Sequence, residues 1–233
     1  MTPRDLRIVL GLVLGAALAA CGDDAPTDLD SGLVECETPA AQRYLPLAIG
    51  ASWTYDTSDM GMPVVVKTST IEALEDVGER KTGFTGYRIR TGKSGGVGDV
   101  VSWQEDRCTS VVRHREQAFD VAGTLLTDQF YVPSKLRVDE TAAHLTVGAS
   151  WTTAYTEVEV APLMADQTRS KDEVWTVEAI DEVVTVAAGT FTCLKVRKVT
   201  SGQADKRYWF ALGVGKIKEE GEQLETLTAY TLP

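Results

Sequence analysis

Gly50-Ala51-Ser52-Trp53 returns 98 residues later as Gly148-Ala149-Ser150-Trp151. Three further matches follow in the same order. Thr70–Val77 (TIEALEDV) is answered by Thr176–Val183 (TVEAIDEV) at an offset of 106. Phe84–Arg90 is answered by Phe191–Arg197 at 107, and Trp103 by Trp209 at 106. Four matches in one order at nearly constant spacing point to an internal duplication, with a period far longer than solenoid repeats have. This constrains the fold strongly: what one copy forms, the other must form too.

Each copy reads as β. In Thr192–Lys198, Leu194 and Val196 alternate with Lys195 and Arg197. In the first copy Tyr87 and Ile89 alternate with Arg88 and Arg90, and Glu173–Ala179 alternates around Trp175 and Val177. A period of two with one apolar face is a half-buried antiparallel strand. Gly92–Gly98, Ser201-Gly202 and Gly213-Val214-Gly215 supply turns. No long segment has a helical period, and a short helix fits only around Glu116–Leu126. The fold class is therefore mainly all-β: a duplicated antiparallel module forming a curved sheet, a half-barrel or a sandwich.

Residues 1–20 read as a signal peptide. Arg4 and Arg7 precede a short apolar run, Ile8–Leu18, followed by small residues. Leu18-Ala19-Ala20-Cys21 resembles the lipobox of bacterial lipoproteins. The resemblance implies cleavage before Cys21, lipid on its thiol and acylation of the new amino group with chains of the palmitate kind. Several chains anchor stably where one is marginal. Position 22 is glycine rather than the aspartate that retains some lipoproteins at the inner membrane, which leans towards the outer membrane. Residues 21–42 are acidic and aperiodic, a lipidated flexible tether. Residues 43–117 form the first β repeat, and 118–233 a connector with the second, the two making one joint globular unit.

The chain has 233 residues and a formal net charge of −11. That balance argues against nucleic acid as a partner, because phosphates need a basic footprint. With Cys21 assigned to lipid, Cys36, Cys108 and Cys193 remain, and an exported chain can form one disulfide. Sequence leaves three pairings open. Cys36 with Cys108 is favoured because both lie in the first half of the fold, and Cys193 is then a free strand thiol.

Local chemistry is sparse. Asp23, Asp24, Asp28 and Asp30 lack the ligand order of a calcium loop. Gly213-Val214-Gly215-Lys216 lacks the upstream glycine and the Ser or Thr of a phosphate loop. His114 and His144 have no zinc-ligand spacing. Arg113-His114-Arg115-Glu116 could bind an anion or supply a base, but reads as a strand end facing water. Glu75-Asp76, Asp181-Glu182 and Glu219-Glu220 are adjacent in sequence, so on a strand each pair points to opposite faces. Trp53, Trp103, Trp151, Trp175 and Trp209 recur at equivalent points. They read as core anchors, or as the lining of a cavity for an apolar ligand. No catalytic residue, metal site or cofactor emerges.

Three segments then resemble those of uncharacterised Gram-negative cell-envelope lipoproteins: Tyr44–Tyr55, Gly189–Val196 and Tyr208–Ile217. The shared patterns are a G-x-x-W-x-Y strand, an A-G-x-F-x-C-x-x-V strand and a Y-W-F-A-x-G-V-G hairpin. Such proteins are similar to a periplasmic family of unknown function and, distantly, to lipoprotein-carrier half-barrels. The resemblance implies lipid or apolar-ligand binding and transfers no catalytic residues. The expectation is a non-enzymatic, membrane-anchored envelope lipoprotein. Its partners are the membrane through Cys21 and either an apolar ligand or an envelope protein met through an exposed strand edge or loop.

Overall fold

The computed structural model describes Cys36, residues 38–59 and residues 64–233. The signal peptide, Cys21 and most of the tether lie outside these described residues. Twelve strands form: β1 Ser52–Ser58, β2 Val65–Gly78, β3 Lys81–Lys93, β4 Asp99–Asp106, β5 Ser110–Phe119, β6 Leu125–Asp139, β7 Ser150–Val160, β8 Gln167–Val186, β9 Gly189–Thr200, β10 Lys206–Ala211, β11 Gly215–Glu220 and β12 Leu224–Thr231. Each pairs with the next, and β12 pairs antiparallel with β1, so the sheet closes into a twelve-stranded barrel.

The all-β expectation holds, and closure replaces the half-barrel and sandwich alternatives. Pairing β1 with β12 from Ser52–Thr231 to Ser58–Leu224 satisfies the backbone groups that an open sheet would leave bare at both edges. The helix expected at Glu116–Leu126 is absent. Glu116–Phe119 completes β5, and the Asp120 carboxylate accepts from the amides of Ala122 and Thr124, fixing a turn instead. Residues 117 and 118, where the sequence divides the repeats, both lie inside β5. Six strands precede the turn region 140–149 and six follow it.

The two sets of six are built alike. Gly50 and Gly148 take left-handed φ values of 89° and 85° at the entry to β1 and β7. A non-glycine residue is disfavoured there. The Gly50 amide donates to the Ile71 carbonyl and the Gly148 amide to that of Val177, each at 2.9 Å. Ladder shifts follow at Ile71/Ala73 in β2 and at Val177/Ala179 in β8. Such bulges bend a strand. Beyond the first, Val77 and Phe84 pack on the outer face of the barrel against Val101 and Trp103.

One end of the barrel is stopped by the segment ahead of β1. Arg43 is buried and donates to Asp106 at 2.6 Å and Glu140 at 2.8 Å, and the Gly213 amide donates to its carbonyl. Gly213 has no room for a side chain, since a Cβ would sit 2.8 Å from the Ala41 carbonyl oxygen. Cys36 is disulfide-bonded to Cys108 in the β4–β5 turn at this same end. Leu45 and Leu47 follow Arg43 and reach into the lumen.

A chamber in the barrel lumen

Cross-strand partners share a face, so the register shows which residues point inward. Trp53 faces Ser69, Tyr55 faces Lys67, Ser69 faces Thr91, Ile89 faces Ser102, and Gln104 faces Arg113. These side chains, with Arg137, Phe210 and Lys216, surround a chamber of about 240 Å³ floored by Leu45 and Leu47. A twelve-stranded barrel is wider than the eight-stranded kind whose interior side chains just fill it, so space and polar groups can coexist inside.

The chamber is walled mainly by the first six strands, with Phe210 and Lys216 closing it from the second six, because of side-chain size. Equivalent inward positions in the second six strands carry aromatic residues. Ser69 beside Trp53 on β1–β2 corresponds to Trp175 beside Trp151 on β7–β8. Ser102 beside Ile89 corresponds to Tyr208 beside Val196, and Gln104 beside Tyr87 to Phe210 beside Leu194. The large rings stack as a column, Trp151 on Trp175, Trp175 on Tyr208 and Tyr208 on Phe210, with centroids 6.4, 6.1 and 5.9 Å apart.

Ions line the lumen. Five cations, Lys67, Lys93, Arg113, Arg137 and Lys216, and one carboxylate, Glu116, border the chamber. Lys67 and Lys216 both donate to Glu225, Lys216 also to Glu219, and Arg113 to Glu116. Burial and then Lys216 push the Lys67 amine down to about 8, against the opposing pull of Glu225. Burial opposes ionisation of Glu219, but Lys216 outweighs it and holds the carboxyl down to about 2. On the other side of the lumen Lys198 donates to Glu173 at 2.9 Å, and Tyr155 donates to the same carboxylate. Lys135 lies over the Tyr131 and Tyr155 rings, each 5.2 Å away. Burial, then the charges of Lys198 and Arg113, push its amine down to about 7.

A second cavity of about 420 Å³ shares Thr91, Lys93 and Val100 with the chamber. It leads to the turns at the barrel end opposite Leu45. Val65, Val97, Ala118, Phe119 and Leu126 make its wall mostly apolar.

The structure separates the five tryptophans. Trp53 lines the chamber, and its indole donates to the Val214 carbonyl at 2.6 Å. Trp151 and Trp175 belong to the aromatic column. Trp103 and Trp209 lie on the outer face, where Glu75 and Glu182 accept from their indole nitrogens at 2.9 and 2.8 Å. Cys193 is a buried free thiol, pushed up to about 12 by burial and then by Glu182.

Arg113-His114-Arg115-Glu116 is not a strand end facing water. It lies mid-strand at a ladder irregularity and is divided between the two faces. Arg113 and Glu116 enter the lumen, while Arg115 binds Asp128 and stacks 4.8 Å from Trp103. His114 is buried and shares a 2.8 Å hydrogen bond with Glu105. His144 stacks on Trp151 at 3.9 Å. Of the adjacent carboxylates, Asp76 accepts from the Gly78 and Gly83 amides at a hairpin turn, whereas Glu219 joins the lumen network. Among the described residues no group of three or more metal-ligating side chains converges. Sequence reasoning missed Lys67, Lys135 and Arg137, and set Lys216 aside with the rejected phosphate loop. The available signal was parity, since Lys67 stands two and four places from Ser69 and Ile71 on one strand face.

No protein-family profile matches the chain, and no curated protein matches it in sequence. Two solved structures are similar to it. One, provisionally described as an exported protein with a YmcC-like fold, comes from Bacteroides fragilis. It is 12% identical, covers 81% of this chain and 98% of its own, and has a TM-score of 0.47. The other, provisionally described as a lipoprotein, comes from Parabacteroides distasonis. It is 12% identical over the same shares, with a TM-score of 0.41. Both are too distant to carry fold or function across.

Proposed function

We propose that this chain is an exported lipoprotein held on a membrane of the bacterial cell envelope through Cys21, and that its barrel is a non-enzymatic binding module. The outer membrane is the membrane favoured by Gly22. The observation that carries the binding reading is the chamber itself. It is walled by strands, floored by Leu45 and Leu47, and continuous through shared residues with an apolar vestibule at the opposite end. Concave sites with mostly apolar walls and a few convergent polar groups are the usual form of ligand pockets. Closure of the ring leaves strand edges at the β2–β3 and β8–β9 extensions for a docking partner. Loops remain available for an assembly partner.

Two measurements test this. Cys21→Ala should abolish acyl labelling and membrane retention, and retention of both would refute the anchor. Native mass spectrometry of the chain from residue 22 onward should show a bound small molecule after purification from the cell envelope. A clean apoprotein mass under conditions that preserve other lipid complexes counts against the binding reading.

A further inference from the structure

The lumen's charge and the vestibule's surface together specify the ligand. The chain carries a net charge of −11, yet the chamber wall carries five cations and one carboxylate. Glu219 and Glu225 face the same lumen, opposite Tyr208 and Thr57, and hold Lys67 and Lys216, while Glu116 holds Arg113. Among the described residues no carboxylate pairs with Arg137, and its buried Nε has no hydrogen-bond acceptor. The buried Nε of Arg113 likewise lacks an acceptor. Unpaired buried donors on a cation are costly, and a guanidinium is shaped to take a carboxylate or phosphate through two parallel hydrogen bonds. Lys135 sits next to Arg113 across the β5–β6 ladder, and burial first, then the charges of Lys198 and Arg113, push its amine down to about 7. A head group alone would leave the second cavity unexplained. Its wall of Val65, Val97, Ala118, Phe119 and Leu126 begins where Thr91, Lys93 and Val100 end the chamber, and it suits an alkyl chain.

We propose that the chamber binds a single-chain amphiphilic anion, its carboxylate or phosphate held by Arg137 with Arg113 and its alkyl chain lying in the vestibule. This rests on the reading of the lumen as a binding site and adds the ligand's charge and orientation to it. The head sits deep and the tail points to the mouth, where Asp59 and Asp99 also border the mostly apolar wall.

The test uses the chain from residue 22 onward, which contains the whole barrel and the Cys36–Cys108 bond. Decanoate, decyl phosphate, decan-1-ol, decyltrimethylammonium and acetate are titrated by calorimetry, with native mass spectrometry for stoichiometry. Decanoate and decyl phosphate should bind one to one. Decanol should bind at least tenfold more weakly, the size of one charge-assisted hydrogen-bond pair, and decyltrimethylammonium and acetate should not bind measurably. Arg137→Gln should weaken decanoate at least tenfold and leave decanol unchanged. Equal affinity for decanoate and decanol would overturn the anion assignment while leaving a lumen site standing. Acetate binding as tightly as decanoate would overturn the tail assignment. No binding by any probe would overturn the binding reading itself. Should Arg137→Gln fail to fold by circular dichroism, the charge series on the unaltered chain decides alone.

Discussion

The first six strands and the last six repeat one plan and reach opposite interiors. Both begin with a left-handed glycine, cross a bulge at the same place and clamp an outer tryptophan to a glutamate. Inside, Ser69, Ser102 and Gln104 leave a chamber where Trp175, Tyr208 and Phe210 build a packed column. The backbone plan tolerates either interior, so what a half encloses is set by a few inward side chains. A wide barrel leaves those positions free to vary in volume without changing the strand ladder.

Truncating the column should have the largest effect. Trp175→Ala is expected to cost ~3–5 kcal/mol, the range for deleting a large buried aromatic. Trp53→Ala, beside existing space, should cost about 1 kcal/mol less because part of its surroundings is already unfilled. Denaturant unfolding of the pair measures this, and equal costs would mean that the two interiors are equally packed.

Lys135 lies at the junction of the halves, and its effect depends on pH. Its folded pKa of about 7 lies below the ordinary lysine value of about 10.4. Between these values the unfolded chain keeps a proton that the native chain has lost, so stability should rise with pH across that window. Lys135→Met should flatten the rise and raise stability below pH 7 by about 1–3 kcal/mol, as replacing a poorly compensated buried charge does. Urea midpoints from pH 6 to 10 check it, and an unchanged pH slope would assign the rise to another group.

The shared outer clamps should respond alike. Trp103→Phe and Trp209→Phe each lose one indole hydrogen bond to a carboxylate, about 1–2 kcal/mol. Melting temperatures that differ widely between the two variants would break the equivalence. Ser102→Tyr, which writes the second half's residue into the first, should have the smallest stability effect, within about 1 kcal/mol, because the ring enters existing space. It should nevertheless abolish decanoate binding; persistent binding would move the site out of the chamber.

The strand content was legible because Leu194/Val196 and Tyr87/Ile89 keep strict alternation. Closure was not, because it depends on β12 meeting β1 across contacts such as Thr228 Oγ1 to the Thr54 carbonyl, 174 positions apart. The chamber was hidden by a reversal of the usual rule. In β4 the apolar parity, Val101 and Trp103, faces outward under the β2–β3 extension, while Ser102 and Gln104 face the lumen. A reader who places the apolar face inside puts the chamber's wall on the surface. The arginines were visible as residues but not as neighbours, since Arg113 and Arg137 come together only through the β5–β6 pairing.

The bond between Cys36 and Cys108 also sets a direction. It ties Cys36 to the floored end of the barrel, 15 residues after Cys21, the proposed lipid site. That length spans at most about 50 Å when fully extended. Under the proposed anchoring through Cys21, the floored end is the end tied to the bilayer.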